Sequence, residues 1–411
     1  MTAAHPLPQA ADPAGRTPEL DGLRGVAILL VLVNNLYDGP SNGGLEYVLY
    51  HLAKSGWVGV DLFFVLSGFL ITGILSDTRN SGRYFRNFYA RRILRIFPLY
   101  YGFLIVWSLF LALSPAFTLA QARGWQATQW WYWLYAANFH LAFTPGAAPG
   151  EPTVFWSLAV EEQFYLLWPI VVATVDRRRL AAVSLALIAT AFLLRVAWYA
   201  MGPAGAYPEA LYFITPARMD ALATGSLLAI LWREPASRPW LTRTAGPLAT
   251  CTTAVLLSWL VWDHGLRKEA PVVQTAGYTL LAVTAGAWLL LSISSEASRP
   301  WRRILAHPAL RFFGWYSYGI YVWHELVYHL SRNVAWIAHP PRWLGSRVPA
   351  SIGVWIVLTM ITTGLAVLSW HGYERHFLRL KSIFAYHRPV SRPDDPVPGS
   401  PAPLPVRESG Q

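Results

Sequence analysis

Cysteine is almost absent from this 411-residue sequence, where Cys251 stands alone. A single cysteine excludes an intrachain disulfide, a Cys-x-x-Cys redox pair and a cysteine-rich zinc site. It falls in an apolar run, where it is expected as a small buried hydrophobe. Lysine is nearly as scarce: Lys54, Lys268 and Lys381 are the only three, so arginine supplies the other basic positions. That bias, with abundant Ala, Gly and Pro, matches the coding of a high-GC bacterium. Charge of either sign makes up 13% of residues, against about 25% in a soluble domain. Phosphate-loop, dinucleotide and HExxH motifs are missing and the eleven histidines are scattered, so no metal is expected. His5 and His387 are expected at the solvent. No repeat with a period of about 20–50 residues recurs, which counts against the inverted-repeat transporters.

What the chain has in excess is apolar length. Hydrophobic residues make up 54% and aromatic residues 15%. Apolar runs at 21–37, 57–76, 97–116, 154–175, 180–200, 217–232, 247–263, 273–294, 314–331 and 349–370 predict an all-α polytopic membrane protein of about ten transmembrane helices. The aromatic stretch 128–143, with Trp130, Trp131, Tyr132 and Trp133, is ambiguous. Were it to span, Arg177–Arg179 would face away from Arg91, Arg92 and Arg95. Placed in the interface or re-entering, it leaves every arginine cluster on one side and both termini in the cytoplasm of a bacterial inner membrane. Trp and Tyr favour that headgroup level. The net charge of +11 is therefore topological, and nucleic acid is not an expected partner. Residues 1–18 lack a charged start followed by a short apolar core, so they read as a disordered tail rather than a secretory signal. Residues 385–411 read as a second tail, leaving 19–384 as one membrane domain. Oligomeric state has no signature.

Ionisable groups inside spans are costly and therefore informative. Arg24 and Asn35 are eleven residues apart in the first span, within about 20° of one helix face and about 16 Å apart along it. In the second span, Asp61 and Gly68 share a face, with Ser67 beside them; this is either a packing seam or a cavity carboxylate. Arg91, Arg92 and Arg95 share a face, as positive-inside anchors or as a phosphate clamp. Trp156 precedes a polar stripe of Ser157, Glu161 and Tyr165 at helical spacing, with Glu162 adjacent. Arg218 and Asp220 read as a charge pair at a helix start. Ser317, Tyr321 and His324 face one way, with Glu325 next to the histidine. Buried Glu161, Glu162 and His324 also suit a proton path, so a proton-coupled transporter is the rival class.

Five stretches in order resemble the membrane-bound acyltransferase-3 family. They are Leu-Asp-Gly-Leu-Arg-Gly at 20–25, the Gly59–Thr72 run, Arg-Arg-Ile-Leu-Arg-Ile-Phe-Pro at 91–98, Trp-Ser-Leu-Ala-Val-Glu-Glu-Gln-Phe-Tyr at 156–165 and Ser-Tyr-Gly-Ile-Tyr-Val-Trp-His at 317–324. The resemblance covers about Leu20 to Leu378. It implies a stand-alone O-acyltransferase that moves an acyl group from acyl-CoA to a hydroxyl. The acceptor would be a sugar or a macrolide-like natural product, with cell-surface polysaccharide as the alternative. It further implies acyl-CoA binding by Arg24, Arg91, Arg92 and Arg95, an acceptor cavity lined by Ser67, Trp156, Ser157, Tyr165, Arg218 and Tyr321, and a carboxylate from Asp61 or Glu161 orienting the catalytic imidazole. The family places its catalytic histidine where this chain has Asn35. A carboxamide orients a hydroxyl but does not deprotonate it. Three explanations stand open: a deactivated form, an enzyme whose base is His324, Glu161 or Asp61, or a non-catalytic relative.

Overall fold

The computed structural model describes residues 17–40, 43–115, 117–144, 146–202, 205, 207–294, 299–338, 340–343 and 345–386. His5, His387 and nearly all of both tails lie outside them. In order, the helices are α1 (Pro18–Leu36), α2 (Gly44–Lys54), α3 (Val58–Thr78), α4 (Tyr84–Leu113), α5 (Leu119–Trp133) and α6 (Ala137–Phe143). Then come α7 (Trp156–Thr174), α8 (Arg177–Met201), α9 (Ala210–Phe213), α10 (Thr215–Trp232), α11 (Arg238–Trp262) and α12 (Tyr278–Ile293). The last are α13 (Arg299–Leu305), α14 (Pro308–Ser331), α15 (Ala335–Ala338), α16 (Val348–Ser369) and α17 (Arg375–Arg379). Among the described residues there is no strand, only an isolated bridge between Trp343 and Ser346.

Six helical stretches are long and apolar enough to cross a membrane: Glu46–Thr78, Tyr84–Leu113, Arg177–Met201, Arg238–Trp262, Val273–Ile293 and Val348–Phe384. The other four expected spans coincide with α1, α7, α10 and α14. Those four hold Arg24, Asn34 and Asn35; Glu161 and Glu162; Arg218 and Asp220; and His324 and Glu325. The polar groups that make them informative also lower their apolarity. The 128–143 stretch is not one helix: α5 and α6 meet at a break where Tyr135 adopts a left-handed φ of 52°. At 15 residues, α5 measures about 22 Å, short of the hydrocarbon thickness.

Two interior seams position the site. In the first, α1 lies against α14 so closely that a Cβ at Gly25 would overlap the carbonyl of Leu310, and one at Gly314 that of Asp21. In the second, α3 lies against α10, with Gly68 on the carbonyl of Leu222 and Gly225 on that of Val65. Small residues let backbones approach where lipid offers no hydrophobic drive to association. Peripheral helices present apolar side chains outward, among them Leu257 and Val261 of α11. Cys251 belongs to that outer face and is exposed. This corrects the expectation of a buried thiol: α11 packs on one side only, and the apolar run reflects its lipid face.

Candidate active site

Two cavities open within the bundle. The first, about 610 Å³, is lined by Arg24, Arg91, Arg92, Arg95, Arg233, Arg238 and Lys381, against the acidic Asp21, Asp77 and Glu161. Seven basic groups facing three acidic ones suit a polyanion. Arg92 lies over the ring of Tyr165 at 5.6 Å. The polar stripe of α7 faces this cavity, with Ser67 of α3 opposite. Ser67 donates to Oε1 of Glu161 at 2.5 Å and lies 2.9 Å from the Tyr165 hydroxyl. Its one proton is committed to the carboxylate, so Tyr165 donates to Ser67.

The second cavity, about 980 Å³, has a different character. Its basic groups, Lys54, Arg267 and Lys268, are matched by Glu151, Glu209, Glu269 and Glu325. Seven aromatic side chains, including Trp57, Trp156, Tyr212 and Tyr328, form much of its wall, and Asn34 and Asn35 are part of it. Near-neutral charge with aromatic faces and amides suits a polyhydroxylated, weakly charged molecule.

A thin partition separates them. Ser157 and Tyr321 line the first cavity, while Val154 and Trp156, on the same stretch as Ser157, line the second. The Ser157 and Tyr321 hydroxyls lie 2.5 Å apart, and Tyr321 donates to the Val154 carbonyl at 2.7 Å. His324 follows one turn later, wholly buried. Its Nδ1 is 2.6 Å from the backbone carbonyl of Tyr321. A carbonyl only accepts, so Nδ1 carries the hydrogen and Nε2 is the acceptor nitrogen. Nε2 accepts from Nδ2 of Asn35 at 3.2 Å, and Oδ1 of Asn35 accepts from Asn34 at 3.0 Å. The first helix thus presents an amide relay that ends on a basic nitrogen of α14.

Several expectations are corrected by these contacts. The imidazole that Asp61 or Glu161 would orient belongs to a histidine at position 35, where this chain has Asn35; the imidazole of His324 is held instead by the Tyr321 carbonyl. Asp61 binds Arg218 at 2.7 Å, and Asp220 binds Arg195 of α8 at 2.8 Å. Arg218 and Asp220 are therefore not partners: each reaches a different neighbouring helix. Arg218 lines neither cavity and sits behind them under the ring of Tyr278, 4.0 Å from its centroid. Removing the charge of Asp61 leaves a buried guanidinium uncompensated, so Asp61→Asn is expected to destabilise the protein by about 3–5 kcal/mol. Thermal unfolding in detergent measures this, and an unchanged midpoint would contradict the structural assignment.

Lys54 is a contributor that the sequence did not single out. Its Nζ donates to the carbonyls of Asn34 and Tyr37 at 2.9 and 3.0 Å, capping the end of α1 from α2. The last turn of α1 has no basic residue of its own, and lysine is rare in this chain; those were the available signals. Among the described residues, no group of three or more His, Cys, Asp or Glu could hold a metal ion.

The class these features define is a polytopic helical membrane protein with an arginine-lined cavity, an amide- and aromatic-lined cavity and a buried imidazole in contact with the wall of the second. Residues 17–371 match the Acyltransferase domain family, acyltransferase-3, and the chain belongs to it. It is 31% identical over 396 residues, 91% of this chain and 56% of the relative, to YrhL of Bacillus subtilis, provisionally named a peptidoglycan O-acetyltransferase. It is 28% identical over 337 residues, 79% of this chain and 51% of the relative, to the peptidoglycan O-acetyltransferase OatA of Listeria monocytogenes. The chain spans about half the length of these relatives. No solved structure matches it.

Proposed function

We propose that the protein is an O-acyltransferase that passes an acyl group from acyl-CoA in the arginine cavity to a hydroxyl of a cell-surface polysaccharide in the other. The observation that carries this reading is the contact of Asn35 with the hydrogen-free Nε2 of buried His324: Asn35 lines the second cavity, and Tyr321, one turn before His324, lines the first. The relatives' names favour a glycan acceptor over the macrolide one. Ten membrane crossings, with α1, α7, α10 and α14 inside, would put the arginine clusters and both termini on the cytoplasmic side of the bacterial inner membrane.

Arg91, Arg92 and Arg95 hold the donor's phosphates, with Arg24 deeper in the cavity. Ser67, Glu161 and Tyr165 face its pantetheine amides, and the thioester reaches Ser157 and Tyr321. The acceptor hydroxyl hydrogen-bonds Asn35 and gives its proton to Nε2 of His324 as its oxygen attacks the thioester carbon. The Ser157 hydroxyl turns from Tyr321 to the thioester oxygen and stabilises the oxyanion, while Tyr321 stays on the Val154 carbonyl. The carbon–sulfur bond then breaks, and the proton passes from His324 to the departing thiolate. On this reading Asn35 orients the acceptor and His324 is the base.

The test uses the full chain in nanodiscs with acetyl-CoA, and free thiol is followed with and without muropeptides. Acceptor-dependent release is expected, and its absence with every hydroxylated acceptor tried would overturn the assignment. Arg92→Ala and Arg95→Ala are each expected to weaken acetyl-CoA binding about 10- to 100-fold, as loss of a charge-assisted contact does. Unchanged affinity in both would remove the phosphate clamp.

A further inference from the structure

The transfer step above makes no use of the close imidazole–carboxylate pair of His140 and Glu151. His140, in α6, has Nε2 2.8 Å from Oε1 of Glu151, whose other oxygen accepts from the amide of Ala148 at 3.1 Å. Glu151 is 2% exposed. Trp131 stacks on the imidazole with ring centroids 5.7 Å apart and planes 16° from parallel. The histidine is thus fixed on two sides. An ionised carboxylate only accepts, so Nε2 carries the hydrogen and Nδ1 is bare. Nδ1 lies 3.2 Å from the hydroxyl of Thr144, which donates to it.

Carboxylate, imidazole and hydroxyl in hydrogen-bonded order is the arrangement that activates an oxygen nucleophile. Here the two ring nitrogens exchange the roles they have in the chymotrypsin triad, and either nitrogen can serve as base. Thr144 is exposed and lines the second cavity, together with the small residues Ala142, Gly146 and Ala147. A staple pinning the loop to α6 would need only the His140–Glu151 contact. It does not account for a bare Nδ1 turned to a hydroxyl at the cavity wall.

We propose that Thr144 is a second acyl-accepting site, a nucleophile for activated acyl esters or thioesters that enter this cavity, with His140 as base and Glu151 as its orienting group. Oγ1 of Thr144 bonds to the acyl carbon while its proton moves to Nδ1 of His140. The bond to the leaving oxygen or sulfur breaks, and His140 returns the proton to it. Water or an acceptor hydroxyl then cleaves the acyl-threonine by the same proton exchange and restores Thr144. Because the ester enters the second cavity directly, the arginine cavity has no part in the step.

The experiment is to incubate the full chain in nanodiscs with p-nitrophenyl acetate and no acyl-CoA, then to map acetylation by peptide mass spectrometry. A burst of p-nitrophenol stoichiometric with the chain is expected, with one acetyl group on Thr144. Thr144→Val abolishes the burst and the label, and Thr144→Ser keeps both. His140→Asn and Glu151→Gln slow the burst, the former by about a hundred-fold or more. A wild-type protein unlabelled at Thr144, or a burst that survives Thr144→Val, overturns the proposal. The wild-type result decides the matter even if a variant misfolds. Acceptor-dependent CoA release without a Thr144 label leaves the transferase standing and removes this second site.

Discussion

His324→Gln lowers the rate of acyl transfer by about a hundred- to ten-thousand-fold, the range supplied by a positioned general base. Glutamine keeps comparable bulk in a wholly buried position and retains hydrogen-bonding atoms, so the partition stays packed. It has no nitrogen that accepts a proton near neutral pH. Acetyl-CoA affinity is expected to stay within a few-fold of wild type, because His324 is absent from the arginine-cavity lining. Asn35→Ala is milder. It deletes the amide hydrogen bond to Nε2 but leaves the lone pair, so activity drops about ten-fold, the scale of one lost hydrogen bond. The two variants separate the base from the residue that orients the acceptor. A His324→Gln enzyme retaining more than about a tenth of wild-type turnover sinks His324 as the base, whereas equal losses would make the pair one inseparable unit.

Gly25→Ala and Gly314→Ala give the other large effect. Each adds a methyl group where the partner helix already presents a backbone carbonyl. A side-chain tip could move aside, but a carbonyl cannot without shifting its helix. Destabilisation of about 3 kcal/mol, the upper end of over-packing costs, is expected. Because α1 and α14 hold Asn35 and His324 respectively, separating them also lengthens the contact between those side chains, and turnover falls with stability. Gly353→Ala and Gly364→Ala in α16 are the comparison: no atom lies near either added methyl, and a helical alanine gains about 0.5–1 kcal/mol over glycine. Unfolding midpoints of the four variants measure the contrast. Equal midpoints would mean the seam is not as close as described.

The helices were legible because hydrophobic runs and their punctuation are local properties. The Ser157–Glu161–Tyr165 stripe was legible too, since helical spacing alone puts three such residues on one face, and they do share the arginine cavity. Partnerships across helices were not legible. The neighbours Arg218 and Asp220 suggested one pair, yet a step of two residues turns side chains about 200° apart on a helix, and each found its counter-ion elsewhere. The orienting group of His324 has no sequence signature, because it is a backbone carbonyl one turn earlier, a partner that every helix offers and no motif marks. The pairing of His140 is equally unmarked, because Glu151 lies across a loop, eleven residues on, at no helical spacing.

The Asp61–Arg218 and Arg195–Asp220 pairs bear on how the chain is made. Asp61 emerges from the ribosome 157 residues ahead of Arg218. An isolated aspartate or arginine at the centre of a helix costs about 2.5–3.5 kcal/mol on translocon insertion scales. α3 and α8 are apolar enough to absorb that charge while they wait, and α10, which arrives last, brings the complement of both. Insertion of α10 is therefore the step that commits the preceding helices to their places. A defect in either pair shows itself first in biogenesis, as chain removed by membrane quality control, before any measurement of turnover detects it.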